Sequence, residues 1–515
     1  MGGSRKQGER NAIRFLLGNK PQEVEIGDPT QTVLEWLRED AGRRGTKEGC
    51  AEGDCGACTV VVGEQVGQGD VRYKPVNACI QFMPTLDGRQ LITVEDLQDS
   101  LGELHPCQTA MIEAHGSQCG YCTPGFVMSL FALYREVNAR NEPLTRQEVD
   151  DALAGNLCRC TGYGPIASAA VTMNFAEEGP GVVAGDRVAT ERSLAALTTE
   201  FSLQIEGAGK RWLSPRSKKE LSHLLDRFPE STLVAGATDV GLWVTKQHRH
   251  LETVIYLGDV AELKDIVVDD GAIRIGAGVS YAAAHKTLAL DWPDVGEVMR
   301  RLGSRQIREM GTIGGNIANG SPIGDSAPML IALGSAIVLQ SLHGPREIPL
   351  EDFFIAYGKQ ELAPGEFVSE LVIPRSTNPA WCFKASKVSK RFDQDITAVL
   401  GAFNLLIVDG WVQEARVAYG GMAGTPKRAR ALETLLIGRP WIEETITLGM
   451  DKLREDFTPL SDMRASATYR MRVAQNLLKR VWIETTTPDT PTRLAGPAGR
   501  DLVHSGSQLV SEHMT

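Results

Sequence analysis

Eight of the ten cysteines fall into two sets, and the spacing of the first set is that of ligands to an iron–sulfur cluster. Residues 49–58 read GCAEGDCGAC, and Cys79 follows after about twenty more residues, which is the plant-type spacing for a [2Fe-2S] cluster. Gly49, Gly53 and Gly56 permit turns with positive φ that aim backbone N–H groups at cluster sulfurs. A zinc site or two disulfides are the alternatives, but zinc sites favour paired CxxC motifs and disulfide scaffolds are short secreted chains. We therefore expect four ligands here, namely Cys50, Cys55, Cys58 and Cys79.

The second set combines a CxxC motif with a CxC motif. Residues 118–125 read QCGYCTPG and residues 156–163 read NLCRCTGY. Apolar residues recur at helical spacing over residues 126–137, and Thr123 and Pro124 supply an N-cap and a first-turn proline. We expect both cysteine pairs to lie at helix ends, where an N-terminal dipole favours anionic sulfur.

At these residues the chain resembles the iron–sulfur half of the molybdenum hydroxylases, the family of xanthine dehydrogenase and aldehyde oxidase. The resemblance implies an all-helical domain with a second [2Fe-2S] cluster, held by Cys119, Cys122, Cys158 and Cys160. It also implies that Gln118 contacts the pterin of the molybdenum cofactor; the alternative is a polar residue that ties down the cluster loop. Arg159 is either a donor to cluster sulfur or a docking contact.

Composition limits the classes of partner and compartment. The chain has 515 residues, enough for three or four domains, and a formal net charge of −11, which argues against a nucleic-acid partner. Cysteines in ligand spacing must stay reduced, so we expect a cytoplasmic protein. Residues 1–11 lack the apolar core of a signal peptide, and no apolar run is long enough for a membrane span.

The elements that must position the first cysteine set precede and follow it in the chain. A strand and hairpin turn are predicted over residues 13–20, a second strand over 23–26 and an amphipathic helix over 32–38. Further strands are predicted at residues 59–62 and 91–94. The predicted elements follow the order of the β-grasp fold of plant ferredoxins: a hairpin, a helix, the cluster loop and further strands.

Two loops of small residues follow further along the chain. Residues 233–241 read LVAGATDVG and join a predicted buried strand to a helix, so their N–H groups can approach a diphosphate closely. Residues 311–325 read GTIGGNIANGSPIGD, a more specific pattern in which Asn316, Ser321 and Asp325 can bind ribityl or ribose hydroxyls. Neither loop is a GxGxxG fingerprint.

Both loops resemble those of the FAD domain in xanthine dehydrogenases and in carbon monoxide dehydrogenase flavoproteins. The flavin contacts that this resemblance implies are Leu233, Val234, Ala235, Gly236, Ala237, Thr238, Asp239, Val240, Gly241, Leu302, Thr312, Ile313, Gly314, Gly315, Asn316, Asp325, Val368 and Lys387. Leu302 departs from the family, which often has an aromatic residue there. Lys387 begins a charged stretch, residues 387–396, which in family members lies beside the flavin ring and the NAD⁺ entrance; the alternative for this stretch, Asp395 included, is solvated surface.

The predicted fold class is multidomain α+β. The expected parts are a β-grasp [2Fe-2S] ferredoxin-like domain (11–98), an all-α [2Fe-2S] domain (99–176), a linker (177–204), a two-part FAD-binding domain of the molybdenum-hydroxylase flavoprotein type (205–377), a C-terminal α+β flavoprotein domain (380–484) and a disordered tail (485–515).

The order of parts predicts an electron-transfer chain, since a flavin can join one-electron carriers to a two-electron acceptor such as NAD⁺. No hydroxylation residue can be assigned on this chain, so substrate oxidation is expected on a separate large subunit that carries molybdenum-molybdopterin. Both clusters and FAD on one chain resemble the small subunit of bacterial xanthine dehydrogenases, and this implies oxidation of hypoxanthine or xanthine to urate and an (αβ)₂ heterotetramer. The alternatives are a subunit of another molybdenum hydroxylase, acting on an aldehyde or N-heterocycle, and a stand-alone ferredoxin–flavin module.

Overall fold

The structure is a computed structural model, and it describes residues 12–67, 70–140, 144–173, 183, 186–197 and 201–493. Within these ranges the chain forms two compact units. The first unit comprises the described residues of Met1–Glu262 and Gly303–Thr312, and the second comprises the described residues of Leu263–Leu302 and Ile313–Thr515.

The first unit begins with a five-stranded sheet of order β2-β1-β5-β3-β4, in which only β1 and β5 pair in parallel. Its elements are β1 (Ala12–Leu17), β2 (Lys20–Glu25), α1 (Val33–Glu39), β3 (Thr59–Val66), β4 (Asp70–Asn77) and β5 (Gln90–Ile92). Helix α1 starts at a capping box, in which Thr32 and Glu35 each bond the other's backbone N–H. Its Val33 and Leu37 are fully buried in the core below the sheet. This is the expected β-grasp arrangement, with one helix across a mixed sheet.

Four helices follow and form the expected all-α part: α2 (Pro106–Glu113), α3 (Thr123–Arg140), α4 (Arg146–Leu153) and α5 (Gly164–Thr172). Helix α3 is the centre of this part, because Phe126, Leu130 and Phe131 are fully buried in its core. Pro124 lies in the first turn of α3, where its missing N–H costs no hydrogen bond.

The stretch expected to be a linker contains a helix, α6 (Arg187–Leu197). Leu194 of α6 is fully buried and packs in a small cluster with Leu16 and Val71 of the β-grasp sheet. The helix is stabilised by this packing rather than by a strong apolar periodicity, which is why the sequence pattern did not reveal it. Residues 177–182, 184–185 and 198–200 of the stretch lie outside the described residues.

The first unit ends in a four-stranded sheet of order β6-β7-β9-β8. Its elements are β6 (Leu203–Gly207), β7 (Lys210–Ser214), α7 (Lys218–Arg227), β8 (Thr232–Val234), α8 (Val240–Thr245) and β9 (Thr253–Tyr256). Trp212 of β7 packs edge-on against Phe82, with ring centroids 5.9 Å apart. The sheet therefore shares one apolar core with the β-grasp part.

The second unit contains two larger antiparallel sheets and the two-stranded antiparallel sheet β14-β15. The first has the order β10-β11-β16-β12-β13 and is followed by the second, of order β17-β18-β19-β20. The elements up to residue 374 are β10 (Ile266–Val268), β11 (Ala272–Gly276), α9 (Tyr281–Asp291), α10 (Pro293–Arg300), α11 (Arg305–Met310), α12 (Ile313–Asn319), α13 (Ser326–Ala332), β12 (Ala336–Ser341), β13 (Gly344–Pro349), β14 (Phe354–Ala356), β15 (Lys359–Gln360) and β16 (Phe367–Pro374). Of these, α11 belongs to the first unit.

The C-terminal part packs three helices against the second sheet. Its elements are β17 (Trp381–Val388), β18 (Val399–Val408), β19 (Trp411–Gly420), β20 (Lys427–Arg428), α14 (Arg430–Leu436), α15 (Glu443–Asp456) and α16 (Ala467–Thr486). Phe403, Tyr419 and Leu478 are fully buried in its core. The predicted multidomain α+β fold class is confirmed.

The described chain continues beyond α16 to Arg493, whose buried guanidinium bonds both oxygens of Asp294 at 2.6 and 2.8 Å. It also bonds both carboxylate oxygens of Glu484 at 2.6 and 2.7 Å. The segment after α16 is thus anchored by a buried ion network as far as Arg493. Residues 494–515 of the expected tail lie outside the described residues.

Among the helices of the described residues, none has the length and apolar character needed to cross a membrane.

Candidate cofactor sites

The structure brings the four cysteines of the first set together in the loop between α1 and β3 and at the end of β4. The backbone N–H groups of Asp54 and Cys55 both donate to Cys50 Sγ at 3.3 Å, and the N–H of Cys50 donates to Cys55 Sγ at 3.3 Å. The Cys79 thiol lies within hydrogen-bond reach of both Cys50 and Cys58. The loop therefore surrounds the sulfurs with N–H donors, which is what anionic sulfur requires.

Two of the three loop glycines adopt the expected left-handed backbone, with φ +84° at Gly53 and +69° at Gly56. Gly49 does not, and the expectation of a positive φ there is wrong. A Cβ at Gly49 would lie 2.7 Å from Cys55 Sγ, so glycine is required there for space rather than for φ. The third left-handed residue in the loop is Ala51, with φ +54°.

The thiols of the first set influence one another's ionisation. Hydrogen bonds from the side chains of Cys55 and Cys79 hold the pKa of Cys50 far below its ordinary value. The same hydrogen bonds raise the pKa of Cys55 and Cys79, and burial raises both further. Neighbouring thiols thus stabilise one thiolate in this set. Because metal binds the deprotonated form of cysteine, binding of metal to the set would release the remaining thiol protons.

The four cysteines of the second set also meet, at the ends of two helices. Cys119 and Cys122 precede α3, and Cys158 and Cys160 precede α5. The side chains of Cys119 and Cys160 form one hydrogen-bonded pair, and those of Cys122 and Cys158 form another. Cys119 and Cys160 are exposed, whereas Cys158 is buried, so this set lies at the surface of the unit.

Hydrogen bonds around the second set favour the thiolate form at two positions. Burial raises the pKa of Cys158, but hydrogen bonds from the hydroxyl and N–H of Thr161 outweigh this and lower it overall. The N–H of Tyr121 and the Cys160 thiol lower the pKa of Cys119. Burial, together with the bond to Cys158, raises the pKa of Cys122 to about 12.

The donor sets fit binuclear iron–sulfur clusters. A [2Fe-2S] cluster is held by four thiolates, two on each iron, and each set here presents four sulfurs in hydrogen-bonded pairs. Among the described residues, no group of three or more His, Cys, Asp or Glu side chains has the arrangement that would hold a single metal ion.

The loops that carry the two sets are in direct contact. The N–H of Leu157, next to Cys158, donates to the carbonyl of Cys55 at 2.9 Å. Asn156 Nδ2 donates to the carbonyl of Gly56 at 3.0 Å. Gln118 and Arg159 are both exposed beside the second set.

The first glycine loop, residues 233–241, connects β8 to α8 and is closely packed. A Cβ at Gly236 would lie 1.8 Å from the carbonyl oxygen of Met310, and one at Gly241 would lie 2.8 Å from Ile80. Ala237 has φ +58°, a strained conformation for a residue with a side chain. The backbone of the first loop thus packs against Met310 and against Gly311, where the second glycine loop begins.

The second glycine loop continues into α12, where its backbone packs on the segment after β11. The N–H groups of Ile313 and Gly314 donate to the carbonyls of Val279 and Ala277 at 3.0 and 3.1 Å. A Cβ at Gly314 would lie 2.4 Å from Ala277 Cβ. Ala277 was not predicted as part of the site; its small size beside two glycines was the available signal.

Asn316 carries an unpaired acceptor at this loop. Its Oδ1 is buried and has no hydrogen-bond partner among the described residues, and a Cβ at Gly324 would lie 3.3 Å from it. A buried acceptor without a partner is costly and points to a donor supplied by something else. A ribityl or ribose hydroxyl is such a donor, so the residues present fit FAD.

Asp325 and Lys387 form a buried ion pair, with Lys387 Nζ 2.6 Å from Asp325 Oδ2. The side chain of Lys387 is 2% exposed and that of Asp325 is 6% exposed. Thr397 donates to the other oxygen of Asp325 and was not anticipated from the sequence. Val368 is buried within β16, and Leu302 is half-buried after α10. Asp395 accepts the N–H groups of Lys390 and Arg391 at 2.7 and 2.9 Å and so closes the turn of the charged stretch.

Four family models match the chain in succession. Residues 16–83 match the 2Fe-2S iron-sulfur cluster binding domain, and residues 93–171 match the [2Fe-2S] binding domain. Residues 202–376 match the FAD binding domain in molybdopterin dehydrogenase, and residues 384–485 match the CO dehydrogenase flavoprotein C-terminal domain.

The curated relatives include xanthine dehydrogenases. That of Oryza sativa is 32% identical over 497 residues, covering 82% of this chain and 36% of the relative. That of Emericella nidulans is 30% identical over 530 residues, covering 92% of this chain and 38% of the relative. The chain thus spans about two fifths of the length of the curated relatives it matches.

Solved structures of carbon monoxide dehydrogenases match about half of the chain. A chain of the cyanide-inactivated Cu,Mo enzyme aligns with TM-score 0.50 and 25% identity over 52% of this chain and 94% of that one. A chain of the reconstituted enzyme from Oligotropha carboxidovorans aligns with TM-score 0.50 and 25% identity over 54% of this chain and 96% of that one. The chain therefore belongs to the molybdenum hydroxylase family, of which it carries the two iron–sulfur domains, the FAD-binding domain and the flavoprotein C-terminal domain.

Proposed function

We propose that this chain is the electron-transfer subunit of a cytoplasmic xanthine dehydrogenase that passes electrons from hypoxanthine or xanthine, oxidised to urate on a molybdopterin-bearing large subunit, to NAD⁺. The observation that carries the proposal is the contact between the two cysteine loops, through Leu157 N–H and the Cys55 carbonyl. Two four-thiol sets this close suit a relay of single electrons. Bound clusters and FAD together supply conversion between one-electron and two-electron chemistry.

The chain's own residues hold these groups in place. We assign Cys50, Cys55, Cys58 and Cys79 to one cluster, with the N–H groups of residues 54–55 stabilising the thiolates. We assign Cys119, Cys122, Cys158 and Cys160 to the other, and Gln118 to the pterin on the large subunit. The exposure of Cys119 and Cys160 supports placing the second set next to the large subunit, because the set that meets a partner must lie near the surface.

We assign flavin binding to the two glycine loops and to Asn316, whose buried Oδ1 would accept a hydrogen bond from a hydroxyl of the cofactor. The Lys387–Asp325 pair is buried and neutral overall. Lys387 therefore acts on the flavin through Asp325 and local packing, since its charge is already compensated.

The acceptor NAD⁺ is proposed from a basic aromatic patch in the second unit. The guanidinium groups of Arg300 and Arg301 lie 5.5 and 4.5 Å from the ring centroid of Phe392, which is exposed. Arg301 Nε also donates to the carbonyl of Phe392 at 2.8 Å. A guanidinium-lined aromatic surface suits the phosphates and planar rings of a dinucleotide.

The proposal is tested on the native complex, purified through this chain. We expect a second, larger subunit with molybdenum, two iron atoms for each four-cysteine set, one FAD, and an assembly of two heterodimers by mass. Xanthine should bleach the iron–sulfur and flavin absorbance, and NAD⁺ should restore it with formation of NADH.

Other outcomes identify the alternatives. Bleaching by an aldehyde or an N-heterocycle but not by xanthine would mean another molybdenum hydroxylase. A chain purified without a partner and without molybdenum would mean a stand-alone ferredoxin–flavin module.

A further inference from the structure

The short helix α11 leads into the second glycine loop. It contacts both iron–sulfur domains. Arg305 pairs with Glu136 of α3, in the helical domain. Glu309 pairs with Arg72 of β4, in the β-grasp domain, at 2.7 Å. These two ion pairs place Gln306, the residue between them, at the junction of the two domains.

Gln306 is fully buried and its amide nitrogen is shared among three acceptors. Nε2 lies 3.1 Å from Thr59 Oγ1, 3.2 Å from Ser129 Oγ and 3.2 Å from Asn156 Oδ1. Ser129 in turn donates to Asn156 Oδ1 at 2.6 Å. We call these four residues, each at most 2% exposed, the Gln306 network (Thr59, Ser129, Asn156 and Gln306).

The network ends on both cysteine loops. Asn156 Nδ2 donates to the carbonyl of Gly56, which lies between Cys55 and Cys58, and Asn156 itself is two residues before Cys158. One buried amide from a distant segment therefore contacts the groups that hold the two loops together.

The backbone around the network leaves no room for adjustment. A Cβ at Gly155 would lie 2.0 Å from Gln306 Oε1, and one at Gly56 would lie 2.2 Å from the carbonyl oxygen of Gly155. A Cβ at Gly125, in α3, would lie 2.3 Å from the carbonyl oxygen of Gly56. The two loops and α3 thus meet backbone to backbone, and a change in the network must move a loop.

Stability alone does not account for Gln306. Its Oε1 is buried and has no hydrogen-bond partner among the described residues, which is a net cost to folding. An apolar side chain of similar volume would avoid that cost, but it would lose the three directed hydrogen bonds. What the amide provides that an apolar residue does not is a fixed geometry.

We propose that Gln306 is a positioning residue that fixes the separation of the two cluster-bearing loops and thereby the rate of electron transfer between their clusters. This proposal rests on the proposed function. Each transfer oxidises the donor cluster by one electron and reduces the acceptor cluster by one, with no bond or proton change, and the electrons come from the substrate oxidised on the large subunit. Because tunnelling falls steeply with distance, a small shift of either loop changes the rate severalfold.

The experiment compares Gln306→Glu with the wild type in the holoenzyme. Glutamate keeps the volume, but it replaces the donating amide with an oxygen that faces Asn156 Oδ1. Ser129→Ala is a milder variant that removes one acceptor of Gln306 and the hydrogen bond that Ser129 donates to Asn156. Gln247→Leu, at an exposed glutamine of the same unit, is the matched control. After full reduction with dithionite, the magnetic splitting between the two clusters is read by EPR; stopped flow then gives the rate at which electrons reach the second cluster.

We expect Gln306→Glu to retain iron and FAD, to change the intercluster splitting, and to slow transfer severalfold. Ser129→Ala should shift both quantities in the same direction by less, and it serves alone if Gln306→Glu does not load. Gln247→Leu should match the wild type. A lower melting temperature with unaltered splitting and rate, in whichever variant loads, would overturn the proposal and leave Gln306 a structural residue. A wild-type protein without two iron–sulfur EPR signals would instead overturn the proposed function.

Discussion

Replacing Gly314 with alanine tests whether the second glycine loop binds FAD through its close packing. In the structure a Cβ at Gly314 would lie 2.4 Å from Ala277 Cβ, 2.5 Å from Ala277 Cα and 2.6 Å from the Ala277 carbonyl oxygen. These distances are about 1 Å below ordinary van der Waals contact. Two of the three neighbours are backbone atoms, so no side-chain rotation relieves the clash.

The free energy can be worked out from two opposing effects. Overpacking at a tight site costs about 1–3 kcal/mol, and the upper part of that range, about 2–3 kcal/mol, applies here because the clash is with backbone atoms. Alanine is a better helix former than glycine by about 1 kcal/mol, and Gly314 lies in α12, so part of the cost is recovered. The net effect is about 1–2 kcal/mol, which corresponds to a factor of about 5–30 in an equilibrium constant.

The assay is titration of FAD onto flavin-depleted protein, followed by quenching of flavin fluorescence. We expect Gly314→Ala to bind FAD about 5–30 times more weakly than the wild type, because the loop must move to admit the methyl group. Gly424→Ala is the matched control in the same unit, since a Cβ there has nothing within 4 Å. Wild-type affinity in Gly314→Ala, with an unchanged melting temperature, would refute the reasoning.

Three further predictions concern the clusters and the buried ions. Cys58→Ser should remove one iron–sulfur EPR signal and leave FAD bound; two unchanged signals would contradict the ligand assignment. Arg493→Met should cost about 3–5 kcal/mol of stability, measured by denaturant unfolding, because it leaves buried Asp294 without its guanidinium partner and leaves Glu484 with Arg480 but not Arg493. Although burial raises it, the hydrogen bonds and charge of Arg493 lower the pKa of Glu484 from 4.5 to about 2, so this stabilisation is complete above pH 4.5 and is lost as the pH falls towards 2. The melting temperature should accordingly depend less on pH between those values in Arg493→Met than in the wild type. An equal dependence in the two proteins would refute the assignment. Lys387→Met should destabilise the protein by about 3–5 kcal/mol and weaken FAD binding, while adding Asp325→Asn should restore part of both; no recovery in calorimetry would contradict the ion-pair explanation.

The cysteine sets could be predicted because ligand spacing within a loop is a local property. The same holds for the order of elements in the β-grasp part and for α1, which begins at the capping box formed by Thr32 and Glu35. What could not be predicted depends on contacts between distant residues. Gln306 reaches Thr59 across 247 positions, and neither residue type signals the other.

Other differences have the same origin. Helix α6 is stabilised by the packing of Leu194 against the β-grasp sheet, and the sequence of the helix alone does not indicate this contact. The pairing of Lys387, a predicted flavin contact, with Asp325, 62 positions away, is a contact that the charged stretch around Lys387 does not indicate. Gly49 was assigned to a turn, whereas the reason for glycine is the neighbouring sulfur of Cys55, visible only once the loop is folded.

Because Gly303–Thr312 completes the first unit, the order of synthesis does not match the order of assembly. About 40 residues of the second unit separate this segment from Glu262, so a ribosome needs roughly 2–8 s to deliver it after the rest of the unit has been made. During that interval the nascent iron–sulfur half has no Gln306 at the junction of its two domains. Any fragment that stops short of residue 303 stays in that immature state, and iron loading of such fragments reports on an intermediate rather than on the finished unit.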